Sequence, residues 1–345
     1  MKLKTARYVI ILIIILAVLM IIGASIGAAS LPITSVVKII SSKIPILKNF
    51  INMQGIDLQD IKIILDIRLP RVLMAVLVGI ALSSSGVIFQ GIFRNPMADP
   101  YILGVSAGAA FGATIGLIFA KGTKLLNFSL TSIFAFAGAI GVTFLIYNIS
   151  KVKGKISVIT LLLSGVALSS LLSSLISLMM IFKTHDLAKV YFWIMGGLSS
   201  ASWANLMVIA PTIIIIIIVS YFFMTDLNIL SLGEERASQL GVQTEKVKKI
   251  LLILASFIAA AAVSVSGIIG FVGLITPHIM RLIVGPDHKI LYPTATISGG
   301  IVMLFSDTIA RMILTPREIP VGIITSIIGV PFFMYLLLKS KKQVF

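Results

Sequence analysis

Apolar runs of about 20 residues recur from one end of the chain to the other, and the stretches between them are short, polar and rich in lysine, glycine and proline. A helix of that length rises about 30 Å, the depth of a bilayer's hydrocarbon. The pattern predicts spans at about 8–29, 68–93, 101–120, 125–149, 156–182, 204–224, 250–269, 290–314 and 321–338, with a further apolar piece at 273–284 that is too short to cross straight. The fold class is all-α: a polytopic membrane protein with about ten transmembrane helices, forming a single transmembrane domain over residues 1–345. The first run follows Lys2, Lys4 and Arg7, and Ala28-Ala29-Ser30 would serve as a cleavage site. It is nevertheless longer than the roughly 7–15 apolar residues of a signal peptide, and it reads as an uncleaved first span.

Local signals refine these boundaries. Pro70 suits a first helical turn, where its missing N–H is no loss, while Pro96 and Pro100 cannot continue a helix, so the second span is bounded at both ends. Arg68 and Arg71, three positions apart, share a face at one mouth of this helix. On composition alone they read as an ordinary snorkelling flank. Gly104, Gly108, Gly112 and Gly116 line one face of the third span and permit close helix packing. The serines of the fifth span serve helix contact or line a path, and the six consecutive isoleucines of the sixth touch lipid over most of its circumference. Two polar stretches stand out. Residues 31–62, with Pro32, Pro45, Lys38, Lys43, Lys48, Asp57 and Asp60, read as surface turns or short helices. Residues 225–249, with Gly233 to Gly241 and then Lys246, Lys248 and Lys249, read as short helical turns punctuated by glycine. Ser85-Gly86 leading to Pro96 echoes Ser266-Gly267 leading to Pro277, in spans running in opposite directions, as inverted repeats do.

Composition narrows the class. With 58% hydrophobic and 12% charged residues, the chain exceeds what a water-soluble core absorbs. The formal charge of +16 lies mainly between apolar spans and not in a basic stripe with interleaved aromatics, so it points to membrane topology and not to nucleic acid. Zero cysteines exclude disulfides, thiolate metal sites and cysteine catalysis. Lys151, Lys153 and Lys155 form the clearest inside loop, and both basic termini fall on the same, cytoplasmic side. Arg68, Arg71, Arg311 and Arg317 then share the outer face.

Isolated polar residues carry little chemistry of their own. Asp307 would cost roughly 2.5–3.5 kcal/mol if charged at mid-bilayer. Arg311 lies four positions on, so a structural interfacial pair is favoured over a proton relay. His185, His278 and His288 fit no metal-ligand spacing, and the 14 methionines read as packing. No His/Glu metal pair, nucleophile elbow or paired carboxylates lies within a span, which weakens an intramembrane enzyme, and no P-loop pattern is present, so any ATP chemistry belongs to another chain. An ion-coupled secondary transporter is the alternative, with Asp307 its only obvious acidic group.

Taken together, Arg68-Leu-Pro-Arg71, Ser85-Gly86, Asn95-Pro-Met-Ala-Asp-Pro100 with Leu103-Gly-Val-Ser106, Gly196-Gly-Leu-Ser199 before Trp203, Gly233 to Gly241, Gly267 to His278, and Arg317 to Thr325 resemble the FecCD permease family of ABC importers for iron-siderophores, haem and cobalamin. The motifs occur in family order over nearly the whole chain.

The resemblance implies an ABC type II importer permease architecture, pairing with a second copy as a homodimer around a central path. It also implies two cytoplasmic ATPase subunits, an extracytoplasmic substrate-binding protein and a multi-pass place in the bacterial inner membrane. The permease is then no enzyme and binds no cofactor or metal, ATP and Mg being used by the partner ATPase. By the same resemblance Arg68, Arg71 and Arg311 receive carboxylates of the binding protein. Arg317 assists them, with Glu318 beside it able to neutralise it. Gly233, Glu234, Glu235, Arg236, Leu240 and Gly241 form the segment that couples to the ATPase, within a cytoplasmic stretch 225–249, whereas 31–62 is extracytoplasmic. Asn95, Pro96, Asp99 and Pro100 form a cytoplasmic turn.

Overall fold

A computed structural model describes residues 2–27, 31–43, 52–53, 55–119, 124–125, 128–152 and 155–341. Ala28-Ala29-Ser30, Pro45, Lys48, Lys121, Lys153 and Lys342 lie outside the described residues. The chain is nearly all helical: α1 Lys2–Ser25, α2 Ile33–Ser42, α3 Leu58–Lys62, α4 Leu69–Phe93, α5 Val105–Phe119, α6 Leu130–Ile149, α7 Val158–Phe182, α8 Leu187–Ile194, α9 Trp203–Phe222, α10 Met224–Leu230, α11 Glu234–Gln239, α12 Thr244–Ser266, α13 Val272–Val284, α14 His288–Met312 and α15 Val321–Lys341. Two small antiparallel hairpins join α5 to α6 and α6 to α7, and Lys151 and Lys155 sit in the second. Among the described residues, 7 helices are long and apolar enough to cross a membrane. With α5, α13 and α15 packed among them, they supply the ten segments read from the hydropathy pattern.

The molecule is built around α4, which packs on α14, α12, α13, α9 and α1. That position follows from its sequence, apolar on every side from Val72 to Ile92 and buried over nearly the whole of that length. Its serines are satisfied by neighbouring backbone: Ser83 Oγ donates to Ala295 O at 2.7 Å and Ser85 Oγ to Ala255 O at 2.9 Å. At Gly79 and Gly299 the backbones of α4 and α14 touch, and a methyl group on either glycine would collide with the other's carbonyl. The glycine face of α5 does the same work on α6, Gly108 lying against Gly138 and Gly112 against Phe134.

Three expectations change. The second helix does not begin at Arg68. It starts at Leu58, capped by the Asp57 carboxylate, and passes through a π-helical turn, Ile63–Arg68, before α4. Leu69 N–H therefore reaches back to Ile64 O, and the widened turn lies just ahead of Pro70, whose ring and missing N–H disrupt a regular ladder. The third helix begins at Val105, because Pro100–Leu103 forms a 3-10 turn and Gly104, at φ 68°, takes the left-handed conformation between the two. Gly104 thus stands off the glycine stripe. In α9 the isoleucine run is left largely uncovered, with Ile214, Ile215 and Ile218 exposed and only Ile213 fully buried. The sequence echo has no structural counterpart, since Gly86 lies inside α4 while Gly267, at φ 66°, ends α12.

Between α12 and α13 the chain is non-helical, a conformation tolerated at membrane depth only where protein satisfies the backbone. Tyr101 does so, its hydroxyl donating to Ile269 O at 2.8 Å and accepting from Ile269 N–H at 3.2 Å. Gly197 N–H donates to Ser266 O at 2.8 Å beside it.

Candidate functional site

Two groups of side chains lie at opposite ends of α4. At its N-terminal end, Arg71 donates from Nη2 to Asp307 Oδ1 at 2.9 Å, from Nε to the same carboxylate at 3.1 Å, and from Nη1 to Glu318 Oε1 at 2.7 Å. Arg311 Nε lies 3.1 Å from Asp307 Oδ2. Asp307 is fully buried, so its charge is balanced by two guanidinium groups from two helices.

Arg68 and Arg311 do further work. Arg68 Nη1 donates to Ala24 O at 2.9 Å and Ser25 O at 2.7 Å, while Arg311 donates to Gly23 O at 2.9 Å and Ile26 O at 2.7 Å. These carbonyls belong to the last turn of α1 and the residues after it, which have no helical partner and carry partial negative charge. The two arginines therefore pin the end of α1 to α4 and α14, and they are buried, at 5% and 6% exposure. Arg71 is the more open member, with 11% of its side chain exposed, and Arg317 is exposed with no ion pair among the described residues. The structure thus brings Arg71 and Arg311 onto Asp307, sets Arg68 with Arg311 against the end of α1, and leaves Arg317 apart. Glu318 pairs with Arg71 and not with the adjacent Arg317.

At the other end, Arg94 closes α4 in the left-handed conformation, φ 50°. In the turn after it Asn95 Oδ1 accepts from Met97 N–H at 2.9 Å, and Asp99 Oδ1 accepts from Tyr101 N–H at 2.7 Å where Pro100 opens the 3-10 turn. Pro96 stands in that turn. Burial pushes the Asp99 carboxyl up to about 6, against the Tyr101 N–H, which favours the charged form.

Gly233, at φ 113°, breaks the chain between α10 and α11, and Gly241, at φ 86°, follows α11. Glu234 pairs with Lys248 of α12 and lies 3.9 Å from Arg94 Nη2, so the start of α11 is tied to both long helices. Ala237 is buried beneath, whereas Glu235, Arg236 and Leu240 are exposed, Leu240 at 62%. Sequence reasoning missed the Glu234–Lys248 tie. Its signal is weak, since 14 positions separate charged residues of a loop that has several. His288, which the sequence reading set aside for want of metal-ligand spacing, is buried and lies with Nδ1 2.7 Å from Asn228 Oδ1. Among the described residues no group of three histidine or acidic side chains is placed to hold a metal.

A family model, the FecCD transport family, matches residues 14–339. The chain belongs to the FecCD transport family. It is therefore a membrane permease of the ABC importer type. Among its relatives, the cobalamin import system permease BtuC of Halobacterium salinarum is 43% identical over 271 residues, covering 79% of this chain and 72% of BtuC. The hemin transport system permease HmuU of Yersinia pestis is 40% identical over 282 residues, covering 81% and 84%. A solved structure described as an inward-facing conformation of an ABC transporter of the metal-chelate type superposes with a TM-score of 0.82 at 33% identity, covering 97% of this chain and 99% of that one.

Proposed function

We propose that this FecCD permease moves a metal chelate, an iron-siderophore or haem with cobalamin next, into the cytoplasm. An extracytoplasmic protein delivers the chelate and two cytoplasmic ATPase subunits drive the step. The observation that carries the reading is that the arginine cluster and the Gly233–Gly241 segment sit at opposite ends of one buried helix, α4, through Arg71 and Arg94. A change at one end can reach the other through a rigid element. The exposed Glu235, Arg236 and Leu240 then face the ATPase, with the lysine-rich ends cytoplasmic. Arg317 and the open edge of Arg71 meet carboxylates of the binding protein, while Arg68 and Arg311 hold the platform on which these charges stand.

Support for a second copy around a central path comes from α7. Ser170, Ser173, Ser174 and Ser177 lie on one exposed face of that helix, and Ser174 and Ser177 return their hydroxyls to carbonyls four residues back. A row of hydroxyls at this depth suits helix contact or a wet path better than lipid. Ion coupling through Asp307 is disfavoured, because two arginines already neutralise that carboxylate.

Co-expression with its cognate ATPase and binding protein tests the assembly. Native mass spectrometry is expected to show two copies of the permease with two ATPase subunits. A permease that remains alone, with the ATPase present and soluble, overturns the reading.

A further inference from the structure

At the end of the molecule read above as cytoplasmic, Gln90, Arg94, Ser231, Arg281 and His288 bound a cavity of about 230 Å³. Four of its polar atoms are unmatched. Arg281 Nε and Nη2 are buried without a hydrogen-bond partner, and Arg281 makes no ion pair among the described residues. Nearby carboxylates are committed elsewhere, Asp287 to Asn228 and the Lys289 N–H, and Glu234 to Lys248 and Arg94. Two cations therefore border the cavity, and the one carboxylate among the described residues that reaches either of them is Glu234, 3.9 Å from Arg94. Two buried guanidinium nitrogens left in that condition cost the desolvation of two unmade hydrogen bonds.

The acceptors are equally particular. Asn228 Oδ1 takes the His288 backbone N–H at 2.8 Å and faces Nδ1 at 2.7 Å. An amide oxygen only accepts, so Nδ1 carries the proton and Nε2 presents a lone pair. Nε2 is buried without a partner, on a residue only 5% exposed. Gln90 donates from Nε2 to Leu274 O at 3.0 Å, which leaves its buried Oε1 open as well. A fitting ligand brings negative oxygens for Arg281 and Arg94 together with a hydrogen for His288 or Gln90. Chloride supplies no hydrogen, and water supplies no charge.

We propose that this cavity binds a phosphate-class anion that carries a hydroxyl. Hydrogenphosphate has this chemistry, and so does the phosphoglycerol headgroup of phosphatidylglycerol. Both have access, because Ser231 and Arg94 are exposed at the mouth, while Leu282 and Ile283, at 68% and 55% exposure, flank Arg281 where the apolar surface meets the polar end. Arg94 also touches the coupling segment through Glu234, so an occupied cavity draws on the same side chain that ties α11 to α4.

The test uses the full chain in phosphatidylcholine nanodiscs, unfolded thermally and weighed by native mass spectrometry. One arm titrates inorganic phosphate against chloride at matched ionic strength, and the other adds phosphatidylglycerol to the nanodisc. Stabilisation in the phosphate arm assigns the free ion, and stabilisation in the lipid arm assigns the headgroup; either supports the site. Arg281→Gln is expected to weaken the response about tenfold, the loss of one charged hydrogen bond. Arg94→Gln is expected to weaken it as well, with unfolding in chloride shifted only by the loss of the exposed contact with Glu234. No response in either arm, or a response equal in wild type and both variants, overturns the proposal.

Discussion

Replacing Asp307 by asparagine removes one charge from between two guanidinium groups while keeping the side chain's shape. The carboxylate is fully buried, receives Arg71 at 2.9 and 3.1 Å and faces Arg311 at 3.1 Å. Removing one partner of such a buried group costs about 3–5 kcal/mol, most of it from the cations left behind. Glu318, by contrast, leaves 43% of its side chain exposed, so Glu318→Gln is expected to cost about 0.2–1 kcal/mol. Thermal unfolding of the purified permease, followed by tryptophan fluorescence, should therefore show a drop several times larger for Asp307→Asn than for Glu318→Gln. Adding Arg311→Gln to Asp307→Asn should cost less than the sum of the two single changes, because the second removes a stranded cation. Equal shifts for Asp307→Asn and Glu318→Gln, or strict additivity of the pair, would refute the burial argument.

Glu318→Gln should also free Arg71 Nη1, raising affinity for the binding protein at low salt and hardly at all at high salt, as surface plasmon resonance across ionic strength would show. Gly79→Ala forces α4 from α14 and is expected to destabilise by about 1–3 kcal/mol in the same unfolding assay, whereas Gly270→Ala, which meets nothing within 4 Å, should be nearly silent. Asp99 titrates at about 6 in the folded chain against an ordinary 3.8, so its ionisation opposes folding above pH 6 and ceases to do so as pH falls toward 4. Wild type should gain stability on going from pH 7 to 5, by about 1.3 kcal/mol from this group, and Asp99→Asn should lose that gain.

The hydropathy pattern made the helices legible because lipid leaves few alternatives for a long apolar run. It failed where the chain leaves that regime. Leu58 to Lys62 carries Asp60 and Lys62, so a helix there looks like loop, yet it extends the central helix outward by three turns together with the π segment. Gly104 fits a four-residue period but lies in a left-handed joint that periodicity cannot distinguish from helix. Of the arginine cluster, only Asp307–Arg311 was readable, because four positions on a helix fix proximity. Arg71 reaches Asp307 across 236 positions, and the carbonyls that Arg68 and Arg311 bind are backbone groups with no signature in side-chain types. Arg281 went unnoticed for a related reason. A lone cation near the end of a short apolar helix looks like any snorkelling flank until its neighbours are known.

The central claim is that ATP hydrolysis in a partner drives uptake through this chain by way of the coupling segment. The direct measurement is uptake of a radiolabelled iron chelate by proteoliposomes holding the permease, its ATPase and its binding protein. Uptake is expected to require ATP inside, to stop when the ATPase cannot hydrolyse it, and to be indifferent to collapse of the ion gradients. Uptake that persists without hydrolysis and follows an ion gradient would contradict the account.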